Sequence, residues 1–189
     1  MAKVKDLAAK FAQGAAINSH LTWEDVGSIK QGPRHVSDFF LDAHMVTLPA
    51  KTKLYKFNSY PSLRPDKAGN VTPWWSAYEP FDVDPGWFAK LSMAKALRVS
   101  IRELGRVTSA ITEGWNSCEY LATVTLTVDI KVAYGRFKSV ARNDGSASMA
   151  IKEGRGASKK LPGGGRQFYV PNLKPEHYKG FAAQSLLAM

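Results

Sequence analysis

Apolar positions along this chain recur first at helical and later at strand spacing. Val4, Leu7, Ala8 and Phe11 form one stripe over two turns, which predicts a helix at the start. Thr22 precedes Trp23-Glu24-Asp25, a T-x-x-D pattern that starts a second helix. Ser37 is placed to cap a third over SDFFLDAHM. Helices this short are marginal in isolation, so all three must pack on something larger. Thr47-Leu48-Pro49 marks a break. TKLYKF then reads as a strand with Leu54, Tyr55 and Phe57, and SYPSLRPDKAGNVTP as a loop dense in Pro, Gly, Asn and Asp.

WWSAYEPF leads into the clearest helical pattern. Asp84 suits the N-cap and Pro85 the first helical position. Trp87, Leu91, Ala94, Leu97, Ile101 and Leu104 then recur at steps of three and four, with Gly105 as the stop. Beyond it the period becomes two. RVTSAIT reads as a short strand. From Leu121 to Val132, apolar Ala122, Val124, Leu126, Val128, Ile130 and Val132 alternate with polar Thr123, Thr125, Thr127, Asp129 and Lys131, as in one long strand. RFKSV is a further strand candidate, 141–165 a polar segment rich in Gly and Lys that should be mobile or ordered by a ligand, and QFYV the last strand before a tail. Strands and helices do not alternate regularly, which argues against a doubly wound parallel sheet. The expectation is an α+β fold: short N-terminal helices, then a twisted, largely antiparallel sheet with one long packing helix. The expected division is a helical segment 1–46, a core 47–175 and a tail 176–189.

Composition narrows the class. The 189 residues are 44% hydrophobic with 5 Trp, ample for the core of one domain. No apolar run approaches the roughly 20 residues that span a bilayer, so no membrane partner is expected. MAKVKDLAAKFAQGAA spaces its apolar residues helically and does not gather them into a run, unlike a secretory signal peptide. The single Cys118 excludes an internal disulfide and reads as a packed thiol. His20, His35, His44 and His177 have no metal-ligand spacing, so no metal is expected. The net charge is +10, with nine Lys/Arg against two acids between Lys131 and Arg166. Such a field attracts phosphates, nucleic acid or an acidic protein.

Phosphate-loop, zinc-protease and serine-elbow signatures are missing. Three segments stand out instead: LPAKTKLYKF, PWWS and LPGGGRQFYV. In order and spacing the chain resembles the bacterial ADP-ribosyltransferase toxins over roughly residues 47–175. Their core begins on a strand bearing Arg, continues on one with a serine motif and ends on one carrying a catalytic Glu. Here Lys56 stands at the Arg position, Ser76 at the serine motif, and Arg166-Gln167 at the segment of the Glu.

The resemblance implies an ADP-ribosyltransferase-like core that consumes NAD, transferring ADP-ribose to a protein or nucleic-acid target or hydrolysing the dinucleotide. It implies Lys56 as a point charge for pyrophosphate and Ser76 as a hydrogen bond near the nicotinamide ribose. Trp74, Trp75 or Tyr78 would stack on nicotinamide, and Gly164 with its neighbouring glycines would let backbone approach the ligand. Gln167 would contact a ribose hydroxyl without bringing charge. The missing carboxylate would then come from Glu153, which is a better candidate than Glu119. It also implies a toxin or effector held in the producer's cytoplasm, secreted into a target cell without a cleaved signal, and paired with a cognate immunity protein. The bland alternatives stay open: Lys56 facing solvent, Trp74 and Trp75 in the core, Ser76 in a turn, and Gly163–Gly165 as a hairpin loop. The competing function is a basic nucleic-acid-binding or RNA-acting module without NAD chemistry, resting on the Lys131–Arg166 run.

Overall fold

Thr22 opens the first helix as its pattern demands. In the computed structural model, which describes residues 16–112, 114–141 and 160–187, helix α1 (Trp23–Gly27) begins with a reciprocal cap. The Thr22 hydroxyl accepts from Asp25 N at 3.2 Å and the Asp25 carboxylate accepts from Thr22 N at 2.8 Å. The helix expected over Val4–Phe11 lies outside the described residues. A small hairpin follows, β1 (Lys30–Gln31) and β2 (Arg34–His35), turning at Gly32 with φ +62°.

The helix expected at Ser37 is corrected by the structure. One 3-10 turn over Val36–Phe39 leads into strand β3 (Phe40–Leu48). The segment extends because it pairs along its length with residues 130–137, from Phe40↔Phe137 to Leu48↔Ile130, and that ladder satisfies backbone groups a short exposed helix would leave to solvent. The expected boundary at 46/47 therefore falls inside a strand.

Strand β4 (Lys53–Asn58) and strand β5 (Trp74–Ala77) form where TKLYKF and PWWS predict them. The single long helix becomes two, α2 (Gly86–Leu97) and α3 (Ile101–Thr108). The break comes at Arg98, which is left-handed at φ +54°, and Ser100 caps α3 by accepting from Glu103 N at 3.1 Å. The turn carries α3 over β4, so Leu97 is left 59% exposed instead of buried. Gly105 is no stop. It lies mid-helix where a Cβ would overlap the Phe57 ring. RVTSAIT consequently begins as helix, not strand.

The long alternation divides into β6 (Tyr120–Leu126) and β7 (Ile130–Phe137). Two short strands, β8 (Val140–Ala141) and β9 (Lys160–Leu161), pair with each other. Strand β10 (Arg166–Tyr169) is not the last: β11 (Tyr178–Ser185) pairs with β6 as an edge strand, so the expected tail belongs to the sheet.

The main sheet has the order β11-β6-β4-β5-β10-β7-β3, with every neighbouring pair antiparallel. β6 and β7 therefore run the same way with three strands between them, yet only residues 127–129 separate them in sequence. The sheet must fold over so that their ends meet, and it does: Lys51 N donates to Leu126 O, and Leu48 pairs with Ile130. The inner face of the fold holds Leu48, Leu54, Trp75, Val124, Leu126, Val132, Tyr134 and Phe168. On the outer face α2 and α3 cover Tyr55, Phe57 and Leu121. Phe39, Phe40, Val26 and Val36 pack there against Ala133, Phe137 and Tyr169. Among the described residues no helix is long and apolar enough to cross a membrane.

Candidate functional site

The three singled-out segments end up side by side, because β4, β5 and β10 are consecutive strands of the sheet. Direct partners in an antiparallel ladder share a face, and successive residues alternate. Tyr55 pairs with Ser76, and Trp75 with Phe168. Ser76 and Gln167 therefore share the outer face with Tyr55, 4% and 6% exposed respectively.

Lys56 is on the inner face, and this corrects the expectation of one cleft shared by Lys56, Ser76 and Gln167. Its Nζ sits 5.7 Å from the Trp75 ring centroid. Burial pushes its ammonium down to about 8, with the nearby Cys118 thiol pulling weakly the other way. A strand buried on both faces forces this result: Leu54, Tyr55, Lys56 and Phe57 are all buried.

The remaining sequence candidates divide similarly. Trp75 is a core residue whose indole N–H donates to Thr72 O at 2.9 Å. Tyr78 packs edge-on against Phe88, with the Lys53 ammonium 3.7 Å from its ring centroid. Arg166 faces inward, 5.4 Å from the Tyr134 ring centroid. The glycine loop is pressed onto the protein's own backbone: Gly163 N donates to Val107 O, Gly164 N to Phe137 O and Gly165 N to Thr108 O. A Cβ on Gly165 would stand 2.5 Å from Thr108 O, while one on Gly164 meets nothing within 4 Å. Close packing thus accounts for Gly163 and Gly165, and a left-handed φ of +83° accounts for Gly164. Glu153 lies outside the described residues.

Sequence reasoning missed a buried polar chain beside Ser76. Asp84 Oδ2 receives the Lys90 ammonium at 2.8 Å, and Asp84 Oδ1 accepts from Gly86 N at 2.8 Å. Lys90 Nζ in turn lies 5.5 Å from the Tyr55 ring centroid. Burial works against the Lys90 ammonium, yet Tyr55 and Asp84 outweigh it and hold it above its ordinary value. Burial pushes the Tyr55 phenol up, with Lys90 and Ser76 among the groups acting on it. Asp84, Lys90, Tyr55 and Ser76 thus form a chain leading from α2 to the Ser76–Gln167 face. One signal was available: Tyr55 alternates with Lys56 and was the other side chain to weigh on that strand.

A pocket of about 620 Å³ opens on the same outer face at Trp74, two positions before Ser76. Its walls are Phe39, Trp74, Trp115 and Phe137, and its rim carries Gln31, Arg34, Ser109 and Asn116. The rings meet at steep angles: Phe39–Trp74 at 5.5 Å and 67°, Phe39–Trp115 at 5.7 Å and 66°, Trp74–Phe137 at 5.0 Å and 75°. The volume is mid-range for a small-molecule site, and apolar walls with a few polar rim groups are the usual lining of one. Trp74 is among the residues that the resemblance points to. Arg34 and Trp115 carry no such signal, because their segments meet only in the fold. No family model, curated protein or solved structure matches this chain.

Proposed function

We propose that this chain is an NAD-consuming domain of the ADP-ribosyltransferase type, with its chemistry on the outer face of β5 and β10. The observation that carries this reading is adjacency. The strands bearing the three segments of the resemblance are consecutive, and Ser76 and Gln167 share a face. The pocket at Trp74 opens on that face, and Trp74 and Ser76 lie on it about 7 Å apart along the strand, although Ser76 and Gln167 themselves are buried and do not line the pocket.

The roles follow from the groups present. The wall of Trp74 takes an aromatic ring of the dinucleotide. Ser76 hydrogen-bonds a ribose, and Gln167 contacts a ribose hydroxyl as a neutral group. Lys90 replaces Lys56 as the cation on that face. In the reaction the bond between the nicotinamide nitrogen and ribose C1′ breaks, nicotinamide leaves with the bonding electrons, and a nucleophile of the acceptor or water attacks C1′. Gln167 cannot stabilise the cationic sugar as a carboxylate does, and losing such a contact costs about 3 kcal/mol. Turnover is accordingly slow unless Glu153 supplies the charge. A protein or nucleic-acid acceptor and a cognate immunity protein belong to this reading.

The test is NAD consumption and nicotinamide release by the purified chain, with and without cell lysate. Gln167→Ala and Glu153→Ala should lower the rate, and Lys56→Met should leave it unchanged. No NAD consumption by the wild type under any of these conditions would refute the reading.

A further inference from the structure

The pocket at Trp74 is held more firmly than a gap between elements requires. Trp115 on its wall is 47% exposed, yet the segment that carries it is fastened at several points. The buried Arg106 guanidinium donates to Ile111 O and to Asn116 O, both at 3.0 Å. Arg102 Nη2 donates to Ser117 O at 2.9 Å. The Asn116 amide donates to Phe57 O at 2.8 Å and accepts from Cys118 N at 2.8 Å. Two guanidinium groups and an amide thus fix the backbone on both sides of a half-exposed indole. Such support fixes the backbone that carries the ring before a ligand arrives, and the ring itself meets Phe39 at 5.7 Å.

The opposite rim is equally anchored. The β1–β2 hairpin is tied to the sheet by Gln31, whose Nε2 lies 3.0 Å from the Tyr169 hydroxyl. That hairpin presents Arg34, whose guanidinium carbon stands 5.7 Å from the Phe39 ring centroid. Among the described residues Arg34 has no ion pair and its guanidinium makes no hydrogen bond. Among the described residues of the lining it is the one formal charge, and none of them is an acid. Aromatic walls select a flat ring. A guanidinium at the rim with no ion pair or hydrogen bond selects an anion with paired oxygens.

We propose that this pocket binds a purine nucleoside monophosphate, with the base against Trp115 and Trp74 and the phosphate on Arg34. The bicyclic base uses the aromatic walls more fully than a single ring does. This binding shares the Trp74 wall with the proposed NAD site, but it uses neither Ser76 nor Gln167 and requires no bond to break, so it can be measured without NAD turnover.

Calorimetric titration of the full chain with AMP, adenosine and ribose 5-phosphate tests the site. AMP should bind, adenosine should bind about tenfold more weakly, and ribose 5-phosphate should give no heat. Raising the salt should weaken AMP and leave adenosine unchanged. Arg34→Gln should bring AMP down to the level of adenosine, while Trp115→Ala should weaken both ligands alike and Trp115→Phe restore part of the loss. Thermal melts establish that each variant is folded. Failure of the wild type to bind AMP, or AMP affinity untouched by Arg34→Gln, overturns the proposal. NAD consumption measured in parallel reports on the catalytic reading separately, because its loss with AMP binding intact refutes that reading alone.

Discussion

Replacing Lys56 by Met should stabilise the protein at neutral pH. Lys56 is 9% exposed, with its ammonium beside the Trp75 ring and no carboxylate of the described residues paired to it. Burial lowers its pKa from the ordinary 10.5 to about 8. A displacement of that size corresponds to roughly 3 kcal/mol of unfavourable folding free energy when the group is charged in both states. The contact with Trp75 offsets about 1 kcal/mol of this, so desolvation wins. Met has a similar length and removes the charge, giving an expected gain of about 2 kcal/mol at pH 7.

The pH dependence has a definite sign. Below about pH 8 both folded and unfolded chains hold the proton and the penalty is constant. Between there and the unfolded value, the unfolded chain binds more protons, so the wild type gains stability as pH rises. The advantage of Lys56→Met should therefore shrink across that window. Urea unfolding of both proteins at neutral pH and at steps toward pH 10 measures it, and the difference between them cancels the other titrating groups. A variant less stable than wild type, or a gap that does not narrow with pH, would show that the ammonium makes a favourable contact and that the placement is wrong.

Three further outcomes are expected. Asp84→Ala strips the half-buried Lys90 of its buried partner and Gly86 N of its acceptor, and should cost about 3 kcal/mol in urea unfolding. Gly105→Ala drives a methyl group into the Phe57 ring and should cost about 1–3 kcal/mol, read as a lowered Tm; an unchanged Tm would mean that α3 does not press on β4. Cys118 is fully buried and burial pushes its thiol up to about 11, so a thiol reagent at neutral pH should label it only as fast as the chain unfolds. Labelling at the rate of a free thiol would contradict the packing around α3.

Local chemistry was legible wherever a feature depends on residues close in sequence. The Thr22–Asp25 cap, the loop at 59–73, the strands at TKLYKF and PWWS and the change of period after the helices all appear in the fold. So does the neighbourhood of the three segments, which the order of elements suggested. Other outcomes depended on partners far along the chain. Phe40–Leu48 extends because β7 lies beside it. α2 and α3 separate at Arg98 because only a bent path carries both helices over β4 and β6, and a 3.6-residue period does not record a bend. The face occupied by Lys56 could not be read because both sides of β4 are buried once the sheet folds over, which leaves no polar side to mark the outside. The pocket joins residues from 31–39, 72–74, 109–116 and 137. No periodicity links segments so distant in sequence, and only the closure of the sheet brings their rings around one space.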